Sequence, residues 1–369
     1  MRVALNLTHR CNLSCDYCYS GESIKDDMTF ETATRAINFA LAAINPDQIL
    51  DIGFFGGEPF ICFKMMKDIT TYLREETQKA NIPYQINITS NGTIINQSIL
   101  DFLYKEQVNL TISIDGPENV HNLNRCFKNG RGSFQSISKN ILKFKEHLDF
   151  IQVNAVYGPD TLVSLPDTLT FFLDNDLSVI HLNPNITSQW TKEVYANLSE
   201  IYMQIGEIYI ESFLQGREIS VNLIDSKCVI FLKGGYSADD YCGMGETEWG
   251  FAPGGNIYPC ERLVGEDINS PHCLGNVHVG LDKKRQCALI EARGNRNPEC
   301  ETCKINKYCM NWCGCTNYHM TGHTNLAAPM LCESEKATIM AALNVFQTLK
   351  NNELFNKHLM GYLHNGRHP

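Results

Sequence analysis

Through its first 215 residues the chain alternates short apolar runs with longer stretches in which apolar positions recur at every third or fourth place, the periods of buried strands and amphipathic helices. Residues 2 to 8 (RVALNLT) read as a buried strand. Thr29 is the expected N-cap of a helix over 30 to 44, which Asn45-Pro46-Asp47 breaks. The pattern then predicts strand 50 to 55, helix 63 to 80, strand 84 to 89, helix 96 to 106 and strand 109 to 114. Helix 133 to 148, strand 150 to 157, helix 164 to 174, strand 178 to 183 and a long helix from about 191 to 215 complete it. Six strands alternating with six helices imply right-handed crossovers and a parallel sheet curling into an incomplete barrel, with ligands gathered at the C-terminal ends of the strands.

Past residue 225 this rhythm stops and cysteines crowd in. The expected fold class is therefore α/β: a partial (β/α)6 TIM-like barrel over 1–225, a cysteine-rich domain over 226–335, and a C-terminal helix and tail over 336–369. An amphipathic helix is expected over 333 to 349, with the tail beyond it a docking strut or a frayed end.

Composition narrows the classes. The 369 residues are 43% hydrophobic, yet no apolar run reaches ten, well short of a membrane span. A net charge of −10 without a basic run argues against nucleic acid. The opening MRVALNLTHR has no signal-peptide core, so a cytoplasmic location is expected. There the tight clustering of sixteen cysteines favours metal ligation over disulfides.

The most informative stretch is CNLSCDYCY, with Cys11, Cys15 and Cys18 spaced CxxxCxxC just after the first strand. Three thiolates at that spacing can hold three corners of an iron–sulfur cube, and the next forty residues contain no fourth cysteine, leaving one iron open to a ligand. A zinc knuckle is the alternative. CxxxCxxC followed by an aromatic resembles the signature of the radical S-adenosylmethionine (SAM) enzymes, which implies a [4Fe–4S] cluster that binds SAM and cleaves it to a 5′-deoxyadenosyl radical. Gly56-Gly57-Glu58-Pro59, after the second strand, would otherwise be an ordinary turn; it resembles the family's GGEP motif, which holds the SAM amino group. By the same resemblance Ser113 and Asp115 are candidates for the SAM ribose, Asn154 for ribose or adenine, Tyr17 for packing on adenine, and Arg125 or Arg131 for the SAM carboxylate.

Eleven cysteines fall between Cys228 and Cys332. Among them runs C-x12-G-x4-C from Cys242 to Cys260, then C-x2-C-x5-C-x3-C through Cys300, Cys303, Cys309 and Cys313, then Cys332. A zinc ribbon accounts for the middle four alone. The whole pattern resembles the SPASM extension of radical SAM enzymes, which carries two auxiliary [4Fe–4S] clusters. The resemblance gives Cys242, Cys260 and Cys313 to the first and Cys300, Cys303, Cys309 and Cys332 to the second, one ligand short. Where relatives with complete ligation carry a further cysteine, Tyr236 stands, so Cys228 closes the first auxiliary cluster or that cluster is open to substrate. Glu261, directly after Cys260, is the candidate catalytic base, or a solvated carboxylate paired with Arg262. Cys62, Cys126, Cys273, Cys287 and Cys315 read as small hydrophobes, and His9, His319 and His323 as ordinary.

Two classes of function remain. The first is a radical SAM/SPASM peptide maturase that crosslinks or otherwise oxidises a peptide, with anaerobic sulfatase maturation to formylglycine as its runner-up; the second is a multi-cluster electron carrier without catalysis. The partners implied are a precursor peptide or protein, an electron donor such as flavodoxin or ferredoxin, and neither nucleic acid nor membrane. With the first cysteine at residue 11 no room is expected for an N-terminal winged-helix module, so a separate leader-peptide-binding protein is a possible partner.

Overall fold

The computed structural model describes residues 1–21, 26–294 and 297–365. The expected alternation is present. Strands β1 (Arg2–Thr8), β2 (Leu50–Gly56), β3 (Tyr84–Ser90), β4 (Asn109–Ser113), β5 (Gln152–Tyr157) and β6 (Val179–Pro184) alternate with helices α1 (Phe30–Ala43), α2 (Phe63–Ala80), α3 (Gln97–Lys105), α4 (Phe134–His147), α5 (Leu165–Asp174) and α6 (Leu198–Leu214). Two of the starts have visible causes: Thr29 Oγ1 accepts from the Thr32 amide at 3.1 Å, and Asn96 Oδ1 accepts from Ile99 at 3.0 Å, satisfying amides that a helix leaves orphaned.

The described chain falls into two compact units, each discontinuous in sequence: 1–113 with 122–151 and 243–292, and 114–121 with 152–242 and 293–369. Residues 243–292, which the spacing pattern groups with the cysteine-rich domain, pack in the first unit. There β1 pairs in parallel with β2 on one side and with β7 (Glu248–Phe251) on the other, and β3 and β4 extend the parallel run. Val3 to Thr8 are all buried, as a parallel strand covered on both faces requires. Strand β8 (Asn256–Tyr258) and the short strands Gly275–Asn276 and Gly280–Leu281 continue antiparallel from β7.

In the second unit β5, β6 and the two-residue strand Ser220–Val221 pair in parallel. Helix α6 packs against α8 (Pro329–Leu349), where Gly206 lets the helices approach over Ala341 and Val345. Helix α7 (Asn222–Lys233) also lies against α8. The tail is a docked helix, α9 (Glu353–Asn365), whose Phe355 and Leu359 are buried; His358 bridges Glu218 and the fully buried Asp225.

Three features differ from the periodicity, two of them for local reasons. The helix expected over 191 to 215 is two, Lys192–Tyr195 and α6, because the Asn197 side chain donates to the Glu193 and Val194 carbonyls and competes with the helical ladder. Helix α8 begins at Pro329, which fits the first helical turn, rather than at 333. A two-stranded sheet, Leu13–Cys15 against Arg125–Phe127, joins residues more than a hundred positions apart, which no local pattern can show.

Candidate functional site

In the first unit the cysteine loop is laid down by backbone contacts. Gly57 donates to Thr8 O at 2.8 Å and Glu58 to Arg10 O at 2.9 Å, fastening the GGEP turn to the chain just ahead of Cys11. A Cβ on Gly56 would lie 2.2 Å from Thr8 O, and one on Gly57 2.4 Å from Arg10 O, so only glycine fits at either position. Gly56 also has φ +126°. These glycines serve the approach of the chain to itself.

Glu58 is fully buried. Its carboxylate accepts from Phe60 N at 3.0 Å, Ser90 Oγ at 3.0 and 3.2 Å, and Asn91 N at 2.8 Å. Burial pushes its carboxyl up to about 7, opposed by those donors and by the Arg125 charge. Both oxygens are thus engaged inside the protein, and Glu58 ties the turn after β2 to the end of β3.

Asn91 carries that link on to the first cysteine. Its Nδ2 donates to Cys11 Sγ at 3.6 Å and to Asn12 Oδ1 at 2.9 Å; Asn12 in turn donates to Thr93 Oγ1 at 2.8 Å. The Leu13 amide is a second donor to Cys11 Sγ, at 3.4 Å. Burial raises the Cys11 thiol, with the Glu58 and Cys18 charges adding to it and these two donors opposing. Sequence already marks Ser90 and Asn91, as polar residues that close a parallel strand and face the cysteine loop, whereas Asn12 carried no signal.

The small sheet sets Arg125 opposite Cys15. Arg125 is buried, donates to Tyr17 OH at 2.6 Å and lies 5.7 Å from the centre of the Tyr17 ring, joining two of the SAM candidates. Arg131 is exposed and stacks 4.9 Å over Phe127, apart from this group. Ser113 is buried at the end of β4. In the second unit Asp115 accepts from the Val156 amide at 3.1 Å, and Asn154 accepts from Asn183 Nδ2 at 2.6 Å.

Cys260 and Glu261 belong to the first unit, and the Cys260 thiol lies 3.4 Å from the Glu261 carboxylate. Tyr19 is half-buried, and its phenol is pushed well up by desolvation and then by the Glu261 charge. A Cβ on Gly21 would meet Glu266 Cα and Gly265 O at 2.8 Å, so the end of the cysteine loop rests on the turn that follows Glu261. His9, read as ordinary, is buried: Nδ1 contacts Ser20 O at 2.6 Å, and Nε2 has no partner among the described residues.

In the second unit the buried Cys309 thiol is raised by burial, then by the Glu335 carboxylate, with Cys332 a smaller contributor. Cys332 is raised by burial and then by Cys300, with Cys303 a smaller contributor. Cys313 Sγ lies 3.6 Å from Cys315 Sγ and 3.2 Å from Thr316 Oγ1. Cys228 is wholly buried between α7 and α8 and donates to Ala342 O at 3.6 Å. Tyr236 meets Lys227 and packs on Trp312.

Among the described residues no three His, Cys, Asp or Glu side chains converge tightly enough for a single metal ion. A four-iron cluster spreads its thiolates wider, and the donor set suits one: thiols on a single loop, amide donors aimed at the Cys11 sulfur, and the unpartnered His9 nitrogen beside them. No helix among the described residues is long and apolar enough to cross a membrane.

Residues 5–172 match the model of the Radical SAM superfamily. An uncharacterised protein of Methanocaldococcus jannaschii is 34% identical over 162 residues, 44% of this chain and 52% of that one, so the chain spans about half of that relative's length. The cysteine-type anaerobic sulfatase-maturating enzyme of Clostridium perfringens strain 13 is 24% identical, the match covering 82% of this chain and 85% of that one. Among solved structures, a histidine-tagged anSMEcpe with bound AdoMet superposes with a TM-score of 0.80 at 20% identity over 98% of both chains. SuiB of Streptococcus suis bound to its precursor peptide SuiA gives 0.63 at 16% over 90% of this chain and 75% of that one. The fold is that of these proteins, an α/β fold with a parallel sheet.

Proposed function

We propose, from the premise that residues 5–172 are a radical SAM domain, that this chain is a radical SAM/SPASM maturase that oxidatively modifies a side chain or backbone position of a peptide or protein. The observation that carries the reading is the junction at Cys11, where the cysteine loop, the GGEP turn and the end of β3 are locked together by Asn91 and Glu58. Cys11, Cys15 and Cys18 would hold the cluster that binds SAM, Cys300, Cys303, Cys309 and Cys332 one auxiliary cluster, and Cys242, Cys260 and Cys313 are carried as ligands of the other on the resemblance alone. When bound, these groups supply a 5′-deoxyadenosyl radical that abstracts hydrogen and an acceptor for the electron left behind.

The chain's own residues have separable tasks. Glu58 positions the glycine turn, which leaves the turn's backbone to meet the SAM amino group. Tyr17 and Arg125 orient each other as one wall, and Ser113, Asp115 and Asn154 are carried as SAM contacts on the resemblance. Glu261 is the candidate that accepts the substrate proton. Cys228, facing the Ala342 carbonyl inside a helix interface, is better read as a core residue than as the ligand that closes the first auxiliary cluster.

For the product, crosslink formation is favoured by Tyr236 standing where complete ligation would put a cysteine. Formylglycine formation is the second reading, supported by the likeness to the cysteine-type sulfatase maturase over most of both chains. The test gives the anaerobic, dithionite-reduced protein SAM with a cysteine-containing sulfatase-motif peptide or, separately, with the peptide encoded beside its gene. Formation of 5′-deoxyadenosine with a modified peptide supports the reading, and the mass change and fragmentation choose the product. Failure to cleave SAM with clusters in place would leave the electron carrier.

A further inference from the structure

Lys227 is the least expected burial in the second unit. Its side chain, on α7, is 2% exposed, and all three ammonium hydrogens are spoken for: Glu335 Oε2 at 2.7 Å, Tyr308 O at 2.9 Å and Tyr236 OH at 3.5 Å. Burying an ammonium costs desolvation that its partners must offset, and an aliphatic side chain would pack α7 on α8 without that cost. Something other than packing accounts for the charge.

Its surroundings indicate what. Glu335 Oε2 also accepts from the Met310 amide at 2.6 Å. The pair therefore grips the chain at Tyr308 and at Met310, on either side of Cys309. Glu335 lies one helical turn after Cys332 on α8, so the same pair links the two cysteines. Both charges therefore sit beside the backbone that carries Cys309. In a low-dielectric interior such fixed charges are felt strongly, and the potential of an iron–sulfur cluster follows the net charge around it.

We infer that Lys227 and Glu335 are positioning residues for the auxiliary cluster of Cys300, Cys303, Cys309 and Cys332, holding Cys309 against Cys332 and setting that cluster's reduction potential with opposed charges. The inference rests on the proposed ligand set. Removing the cation leaves a buried carboxylate beside the cluster and makes it harder to reduce; removing the carboxylate's charge does the reverse.

The experiment is a redox titration of the reconstituted full chain, following the electron paramagnetic resonance signal that Cys303→Ala abolishes. Lys227→Met is expected to lower the reduction equilibrium constant of that cluster about tenfold, equivalent to 59 mV for one electron, and Glu335→Gln, which keeps an acceptor for Met310, to raise it by a similar factor. The double variant is expected near the wild-type value. Equal potentials in both single variants, or shifts of the same sign, would overturn the inference. If Lys227→Met does not retain the cluster, Glu335→Gln alone decides: an upward shift supports it and no shift refutes it. Failure of the ligand set itself reads differently, as Cys303→Ala and Cys332→Ala proteins with full iron and unchanged spectra.

Discussion

The two groups of cysteines are held in opposite ways. Around Cys11 the fastening is mainly through backbone: chain zipped to chain at two glycines, amides aimed at sulfur, and one carboxyl, its pKa raised to about 7, that accepts from two backbone amides and a hydroxyl. Around Cys309 and Cys332 it is ionic, a buried lysine and a half-buried glutamate gripping the chain on either side of a thiol. On the proposed assignment the first centre admits and releases SAM, and a turn held by backbone contacts keeps its shape through that exchange. The second would be closed by four thiols and exchange electrons only, so that fixed charge is a direct way to set its potential.

Perturbations should separate the regions, the most damaging first. Replacing Cys11, Cys15 and Cys18 together by Ala should abolish SAM cleavage and remove about four of some twelve irons, while the signal dependent on Cys303 survives; full iron content, measured by colorimetric assay, would remove the first centre from the comparison. Gly57→Ala comes next. Its Cβ needs space that Arg10 O occupies, and displacing the loop by about 1 Å should slow 5′-deoxyadenosine formation about a hundredfold with iron retained.

Glu58→Gln keeps the shape but turns an acceptor into a donor facing donors, an unmet buried hydrogen bond of about 1–3 kcal/mol, so SAM affinity by calorimetry should fall about ten- to a hundredfold. The same carboxyl predicts a pH effect. Its pKa in the folded protein, about 7, lies above the ordinary carboxylate value, so going from pH 8 to pH 6 protonates it and loosens its hold on Phe60, Ser90 and Asn91. SAM binding should weaken over that window in the wild type and stay level in Glu58→Gln; parallel curves would remove Glu58 from the site.

Cys228→Ala should cost about 1 kcal/mol in thermal unfolding and leave cluster spectra and turnover unchanged, since the thiol faces Ala342 O. A changed spectrum would restore it as a ligand and make the second region's fastening partly covalent. Arg131→Ala, on an exposed side chain stacked on Phe127, should change SAM affinity by less than about twofold.

What could be read in advance was what repeats locally. Helix α2 runs over the expected residues because its apolar positions hold a helical period from Phe63 to Ala80, and β1 because its run is unbroken. The pairing of Leu13–Cys15 with Arg125–Phe127 has no such period, and with it went the contact of Tyr17 with Arg125. Glu58 stands in a motif that points to the SAM amino group, and only the fold shows the three internal donors that engage its carboxylate. Lys227 lies where no helix was expected, and nothing local marks it until α7 and α8 bring Glu335 to it.

The small sheet also carries a consequence for the order of synthesis. Half of the cysteine loop's pairing comes from residues 125 to 127, so a chain leaving the ribosome displays Cys11, Cys15 and Cys18 long before the strand that sets Cys15 opposite Arg125 exists. Until some 115 further residues have emerged and that long loop has closed, the thiols are an unshaped peptide open to oxidation or to the wrong metal. If these thiols hold the proposed cluster, delivery of iron and sulfide would be productive only late in translation or after it, and a chain stalled before residue 125 should be able to bind metal but not to hold it in the native arrangement.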